Sequence, residues 1–440
     1  MKKLIITILS IFIYFMATSC EYKKMTMPNS NDTSIIHSSG EIKYIQMNPV
    51  WNNFENPVDI YISPDDYIYV ADSGLQQVKV LDKTGEPVIS DESGNNFEAL
   101  SDMNFRPSGI CVDSKLNLFM TDKSNNIYVW NQFINNTKHD TENGKDSIAV
   151  SIQYRNINTN EIITVTDYLQ TYILELNDYI IHKVNYEYDQ TKIDSLKGIC
   201  VFYTDKKHAE SKFVSVGAAP LNKSAIYATD EGEQTILKIF IVRSAYIKLA
   251  DGTTLWQHKG YRGKAIATAG TGAGTINDPQ GMFVDPGGSI YYTQTGINFG
   301  FHKISEINVE QQLWASMFVL GQNEILDLDR FNKPYDVSVD EDANIFVLNT
   351  GANEVQVFDN GGQFIRKAGL RSVQMETTIK DTIDNQVVEK DTIVTKYYND
   401  VLNNPRGIFV SEGVIYVLNS GDKTIVRFKL SSDLDVEIEE

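Results

Sequence analysis

The chain has 440 residues, 42% of them hydrophobic and 22% charged, with 58 acidic against 39 basic side chains and a net charge of −19 at pH 7. So acidic a surface repels nucleic acid, whose binding rests on neutralising phosphates, and argues against a polyanionic ligand.

Lys2 and Lys3 precede an apolar run from Leu4 to Met16, followed by Ala17-Thr18-Ser19-Cys20. The run is shorter than the roughly 20 residues needed to span a bilayer and fits a secretory signal over residues 1–19. Small residues directly before Cys20 resemble the bacterial lipobox. The resemblance implies cleavage before Cys20, a lipid on its sulfur and amino group, and a place in the cell envelope of a bacterium, at the outer membrane, with the lipid as the sole membrane contact. Ala17 stands where that motif more often has leucine, so cleavage without lipid is the alternative. Loss of two lysines with the signal leaves 37 basic and 58 acidic residues, a net charge of about −21. Residues 20–41 are polar and read as a tether. Glu21-Tyr22-Lys23-Lys24 is no obvious acidic export tag, so the periplasmic and cell-surface sides both stay open.

Ile42 to Met47 alternates like a strand but has no partner nearby. The unit that recurs after it is clearest between Phe331 and Asp359. Three alternating runs there (Tyr335, Val337, Val339; Ile345, Val347; Val355, Val357) are separated by turn-rich segments and predict an antiparallel meander. Its second strand and exit loop recur as YVADSG (Tyr69 to Gly74), FMTDKS (Phe119 to Ser124), YATDEG (Tyr227 to Gly232), YYTQTG (Tyr291 to Gly296), FVLNTG (Phe346 to Gly351) and YVLNSG (Tyr416 to Gly421). Pro57, Pro107, Pro279 and Pro334 stand twelve residues before the aromatic, and Pro405 eleven before Tyr416. Ser215 occupies that place in the Tyr227 copy, which predicts an irregular first strand. One meander cannot bury both faces and needs neighbours built alike. The last copy ends one strand short of a four-stranded sheet, and Ile42 to Met47 can supply it, closing the chain into a ring without open edges.

Two stretches interrupt the repeats. From about 132 to 213 the signature is missing, and Ser151 to Tyr154 with Ile162 to Val165, then Ile173 to Leu176 with Tyr179 to Val184, read as inserted hairpins. A seventh, degenerate blade there, suggested by Val201-Phe202-Tyr203-Thr204-Asp205, is the rival. Residues 371–401, which repeat Lys-Asp-Thr-Ile, predict a charged projecting hairpin, and residues 431–440 an acidic tail. Cys111 and Cys200 each sit in a Gly-Ile-Cys-Val run and read as apolar core residues or as a disulfide that export would permit.

These units resemble the NHL repeat. Asn56-Pro57, Arg106-Pro107-Ser108-Gly109, Asp278-Pro279-Gln280-Gly281, Lys333-Pro334 and Asn404-Pro405-Arg406-Gly407 carry its first part, Tyr69-Val70-Ala71-Asp72 its second, and Ala269 to Gly274 its Gly-rich approach. The resemblance implies an all-β, six-bladed β-propeller of four-stranded antiparallel blades over residues 42–430, with inserted hairpins. It also implies that the loops leading into the first strands and leaving the second strands share one face at the channel mouth. That face would gather Arg106, Gln280, Lys333, Asp336 and Arg406 with Asp72, Asp122, Asp230, Gln294, Asn349 and Asn419. The Asp or Asn ending the second strand also suits a local turn.

The expected function is binding or scaffolding of an envelope protein or polysaccharide through this mouth and the inserted hairpins, with no catalytic residue assigned. The alternative is a lactonase- or lyase-like enzyme with calcium held by Asp72, Asp122 and Asp230. None of His37, His139, His182, His208, His258 and His302 falls at a signature position, and neither an HExxH nor a CxxC run occurs, which leaves a histidine-built zinc site unsupported. The 23 tyrosines suit a recognition surface or packing between blades.

Overall fold

The computed structural model describes residues 42–88, 106–131, 149–155, 162–168, 172–173, 199–220, 223–248, 254–383 and 386–434. The signal, Cys20 and the tether lie outside them. No helix among the described residues is long and apolar enough to cross a membrane.

Six antiparallel sheets form a β-propeller, and each sheet is a blade. The first strands of the blades are Pro57–Ile62, Gly109–Val112, Phe213–Ala218, Pro279–Val284, Pro334–Val339 and Gly407–Ser411. Each touches its neighbour on both sides, and the last touches the first, so they line a closed ring. Pro57, Pro279 and Pro334 cost no ladder bond as the first residues of their strands, Pro107 and Pro405 stand two residues before theirs, and all five are buried. Second strands lie deeper between blades. Ile68–Asp72, Ile290–Gln294 and Ile345–Asn349 are buried along their whole length, since both faces meet a neighbouring sheet.

The packing repeats with the blades, one apolar cluster to each seam. Tyr69, Ala71 and Val78 meet Ile110, Leu118 and Met120 across the first seam. Phe119 and Ile127 meet Phe213 and Leu237 across the second. Phe346 and Leu348 meet Ile408, Val417 and Phe428 across the fifth. Tyr69, Tyr227, Tyr291 and Tyr292 are fully buried in these seams, so much of the aromatic richness serves packing.

Ring closure follows the expectation. Tyr44–Trp51 pairs antiparallel with Thr424–Leu430, with Tyr44 opposite Leu430 and Met47 opposite Arg427, and becomes the outer strand of the sixth blade. Ser431, in a single helical turn after the last strand, donates its N–H to Lys43 O at 2.7 Å, while Lys43 N–H reaches Ser431 Oγ at 3.1 Å.

Four points refine the sequence reading. The third blade's first strand is regular: Phe213 pairs with Asp230 just as Pro57 pairs with Asp72, and two extra residues in the following turn spoil the twelve-residue offset. The interval expected to be inserted over about 132–213 ends earlier, because Ile199–Thr204 pairs with Asn126–Asn131 as the outer strand of the second blade. The Val201 to Asp205 run thus belongs to that blade and not to a seventh. Its likeness to the signature comes from Asp205, buried, which accepts the N–H groups of Lys207 and His208 and pairs with Arg262 of the third blade. In the first blade the outer strand shrinks to a bridge between Leu81 and Pro87, with Val88 N–H bonded to Val80 O.

Inside the first insertion Ala149–Arg155 pairs with Ile162–Tyr168, the expected hairpin. Tyr172 and Ile173 pair instead with the long third strand of the third blade, and the hairpin expected from Ile173 to Val184 otherwise falls outside the described residues. Arg371–Ile383 and Gln386–Tyr398 make a two-stranded ribbon. Cys111 lies on the innermost and Cys200 on the outermost strand of the second blade, three strand spacings or roughly 14 Å apart, beyond disulfide reach. Neither is in a disulfide.

Candidate functional site: the mouth of the channel

In five of the six blades the residue ending the second strand ties two loops together. Asp72 accepts the N–H groups of Glu55 and Asn56 from the lead-in loop, at 2.8 and 2.9 Å, and those of Gly74 and Leu75 from its own turn. Asp230 accepts from Lys212, Gly232 and Glu233. Gln294, Asn349 and Asn419 accept the N–H groups of Asn277, Asn332 and Asn403. The exit-loop glycine completes the clamp. A Cβ on Gly351 would lie 2.5 Å from Asn332 O, and one on Gly421 would lie 2.6 Å from Asn403 O. The signature therefore encodes a staple between lead-in and exit loops, and it makes the rim rigid.

Asp72, Asp230, Gln294, Asn349 and Asn419 are accordingly buried, each with an oxygen taken by backbone N–H, while the amides of Asn349 and Asn419 also donate to Glu354 and Asp422, and Asp230 Oδ2 makes no hydrogen bond among the described residues. Asp122 is half-buried and accepts Ser124 N–H and the Tyr128 hydroxyl. Asp72, Asp122 and Asp230, the carboxylates considered for calcium, stand in three different blades, and the oxygens of Asp72 are taken by four amides. Among the described residues no group of three or more His, Cys, Asp or Glu is placed to hold a metal. The residues present do not fit such an ion. His302, buried on Tyr292 and Phe299, is held neutral by burial, its acidity shifted to about 3.

What the mouth does gather is cationic and amide-rich. A cavity of about 700 Å³ is lined by Lys123, Asp278, Gln280, Thr295, Lys333, Tyr335, Thr350, Gly351, Asn353, Asn403, Asn404 and Arg406. Gln280, Lys333 and Arg406 from the expected set meet there. Arg106 is exposed but does not line it. Lys123 and Lys333 are exposed, and Arg406 lies 4.3 Å from the centre of the Tyr335 ring. None of the three cations makes an ion pair among the described residues. Asp278, the lone carboxylate in the lining, is engaged by the Thr295 hydroxyl.

The backbone adds to this. Asp278, Lys333 and Asn404, each just before a lead-in proline, take left-handed conformations with φ of 60°, 51° and 48°. Asp and Asn tolerate this region; lysine is less suited to it. Lys333 thus stands where the adjoining blades use cheaper residues.

Beneath the mouth the first strands close to a cavity of about 30 Å³, room for about one water. Around it, at the position two beyond the lead-in proline or its counterpart, side chain and glycine alternate: Asp59, Gly109, Ser215, Gly281, Asp336, Gly407. A Cβ on Gly109 would sit 2.7 Å from Ser215 Cα, and one on Gly281 would sit 2.7 Å from Asp336 Cα, so these strands approach too closely for any other residue. Asp336, placed on the mouth by the sequence, lies in this lower ring. Its carboxylate is pushed well above the usual range by burial and by the charge of Asp59. Asp59 is raised to about 7, again by burial, against the opposing bonds from Ile110 and Ile60 N–H.

Asp59, Lys123, Tyr335, Asn353, Asn403 and Asn404 were not singled out from the sequence. Lys123 had a signal: it follows the clamp position, where the other copies carry Ser73, Glu231, Thr295, Thr350 and Ser420. Asp59 had one too, since only it and Asp336 put a carboxylate where three other blades have glycine.

No protein-family model and no curated protein matches the chain. Solved structures match in fold. A catalytically inactive virginiamycin B lyase from Staphylococcus aureus is 12% identical, over 88% of this chain and 99% of its own, with a TM-score of 0.40. A gluconolactonase from Xanthomonas campestris is 10% identical over 90% and 99%, with a TM-score of 0.41. Regucalcin, a calcium-binding protein from Agrobacterium tumefaciens, is 8% identical over 88% and 92%, with a TM-score of 0.42. Likeness at this level says nothing of function.

Proposed function

We propose that the chain is an exported, lipid-anchored propeller of the bacterial envelope that binds a glycan or protein partner through its channel mouth. The observation that carries this reading is the polar cavity of about 700 Å³ holding three cations that have no ionic partner among the described residues, in a chain whose net charge is −19. Cavities of about 300–1,000 Å³ with convergent polar groups are typical small-ligand sites. The clamped loops hold these groups still before any ligand arrives, which lowers the entropic cost of binding. The lipobox-like Ala17-Thr18-Ser19-Cys20 and the polar tether support the envelope location.

The test uses the counterparts found in sister blades. Lys333→Asn places the residue that the sixth blade has as Asn404, and Arg406→Gln the residue that the fourth has as Gln280. The intact protein, immobilised through its lipid, is expected to retain an envelope glycan or protein that the double variant K333N/R406Q releases at unchanged melting temperature. Equal retention by both proteins overturns the reading.

A further inference from the structure

Resting on the mouth as a binding site, we infer that its ligand is a short acidic oligosaccharide whose carboxylates lie against Lys123, Lys333 and Arg406. Three observations converge on this class.

The charge comes first. The whole chain carries −19, which argues against long polyanions, but the mouth reverses that sign locally with three cations and one carboxylate, Asp278, already bonded to Thr295. Screening over about 8 Å at physiological salt separates the rim from the acidic outer surface. A short anion that fits inside the cavity meets only the local field; a long one does not.

Second is the chemistry between the charges. Gln280, Thr295, Thr350, Asn353, Asn403 and Asn404 present amides and hydroxyls. Such groups offer donors and acceptors side by side, the pattern that sugar hydroxyls match. Five of the six also bond internally: Thr350 to Pro405 O, Asn353 to Asn404 N–H, Gln280 to Asp278 O, Thr295 to Asp278 and Asn403 to Asp422, which leaves their remaining lone pairs and N–H groups for a ligand. A peptide partner would call for apolar anchor pockets or a free sheet edge. The lining supplies neither: its one aromatic ring, Tyr335, already carries Arg406.

Third is Lys333 itself. It holds a left-handed backbone with φ of 51° at a site where Asp278 and Asn404 serve in the flanking blades. A lysine kept there against local preference directs the explanation to its side chain. Lys333 directly precedes Pro334 and Tyr335, and Arg406 of the adjoining blade lies over the Tyr335 ring, so both cations line the same part of the cavity.

Calorimetric titration of the full-length protein with trigalacturonate, and with its fully methyl-esterified form, tests this. One-to-one binding is expected, at least about tenfold tighter for the acid than the ester, weakening as salt rises, and reduced at least about tenfold in K333N/R406Q. A hexaglutamate peptide serves as the control for charge without sugar and should bind at least about tenfold more weakly. Equal affinity for acid and ester, equal affinity for hexaglutamate, or no loss in the double variant each overturns the inference. If trigalacturonate fails while a neutral glycan or a protein is held in a K333N/R406Q-sensitive manner, the acidic-sugar assignment falls and the binding-site reading stands. If nothing is held through the mouth, both fall.

Discussion

Asp336 accepts the amide N–H of Ile408 at 2.8 Å across the seam between the fifth and sixth blades, and Asp59 accepts that of Ile110 at 2.7 Å across the seam between the first and second. Two carboxyls thus bolt inner strands together while facing a cavity large enough for about one water.

This arrangement makes stability depend on pH. Both groups bind protons more tightly folded than unfolded: Asp59 holds its extra proton between the ordinary carboxylate pKa of 3.8 and about 7, and Asp336 is shifted in the same direction. The pair's contribution to stability is full below that window and is lost as pH rises through it. The melting temperature of the wild type should therefore drop between pH 4.5 and pH 8 by more than that of the double variant Asp59→Asn, Asp336→Asn. Parallel profiles for the two proteins would mean that the pair is ionised throughout.

Closure of the ring rests on the outer strand of the sixth blade. Removing residues 41–48 deletes the pairings of Tyr44 to Met47 and exposes part of the Phe428 surface. Several ladder bonds at about 1 kcal/mol each, plus two apolar side chains at about 2 kcal/mol each, are lost. A fall in melting temperature of at least about 10 °C is expected by differential scanning calorimetry; an unchanged transition would show that the ring does not need this strand.

The clamp residues and the mouth cations should separate in experiment. Asn349→Ala leaves the part-buried Asn332 N–H bond unmade and should cost about 1 kcal/mol or more in urea unfolding. Gly351→Ala drives a Cβ against Asn332 O and should cost a similar amount, about 1–3 kcal/mol. Lys333→Asn should leave the unfolding midpoint in place. A destabilised K333N protein would put Lys333 among the structural residues.

The two propeller cysteines should be slow nucleophiles. Burial pushes the Cys111 thiol well above its ordinary range and that of Cys200 up to about 11. At pH 7.5 the native protein should react with maleimide at both sites at least about tenfold more slowly than the urea-unfolded chain, read by peptide mass. Rapid native labelling of Cys111 would indicate opening of the second blade.

The architecture was legible because its physics is local and repeated. A proline at the head of a first strand, an aromatic in the second, and an Asp-x-Gly-like exit loop occur at a fixed offset, and the structure gives each a reason. Where the offset broke, at Ser215, a longer turn after Phe213–Ala218 was the cause, and no single copy could reveal it. The mouth was only half legible. Repetition marked Asp72, Asp230, Asn349 and Asn419, yet a repeated residue serves the blade, and all four are buried with an oxygen holding lead-in N–H groups. The departures from repetition, Lys123, Lys333 and Arg406, line the cavity. Asp59 and Asp336 face one cavity only because the first strands close on themselves, a relation between residues 277 positions apart that no local pattern carries.

The central claim is that the mouth is where this propeller meets its ligand. Amide hydrogen exchange on the intact protein, with and without its retained envelope fraction, measures this most directly. Protection concentrated in the lead-in and exit loops of the fourth to sixth blades, around Asp278, Lys333, Asn353 and Asn404, is the predicted result. Protection confined to the outer strands or to the Arg371–Tyr398 ribbon, with those loops unchanged, would contradict it.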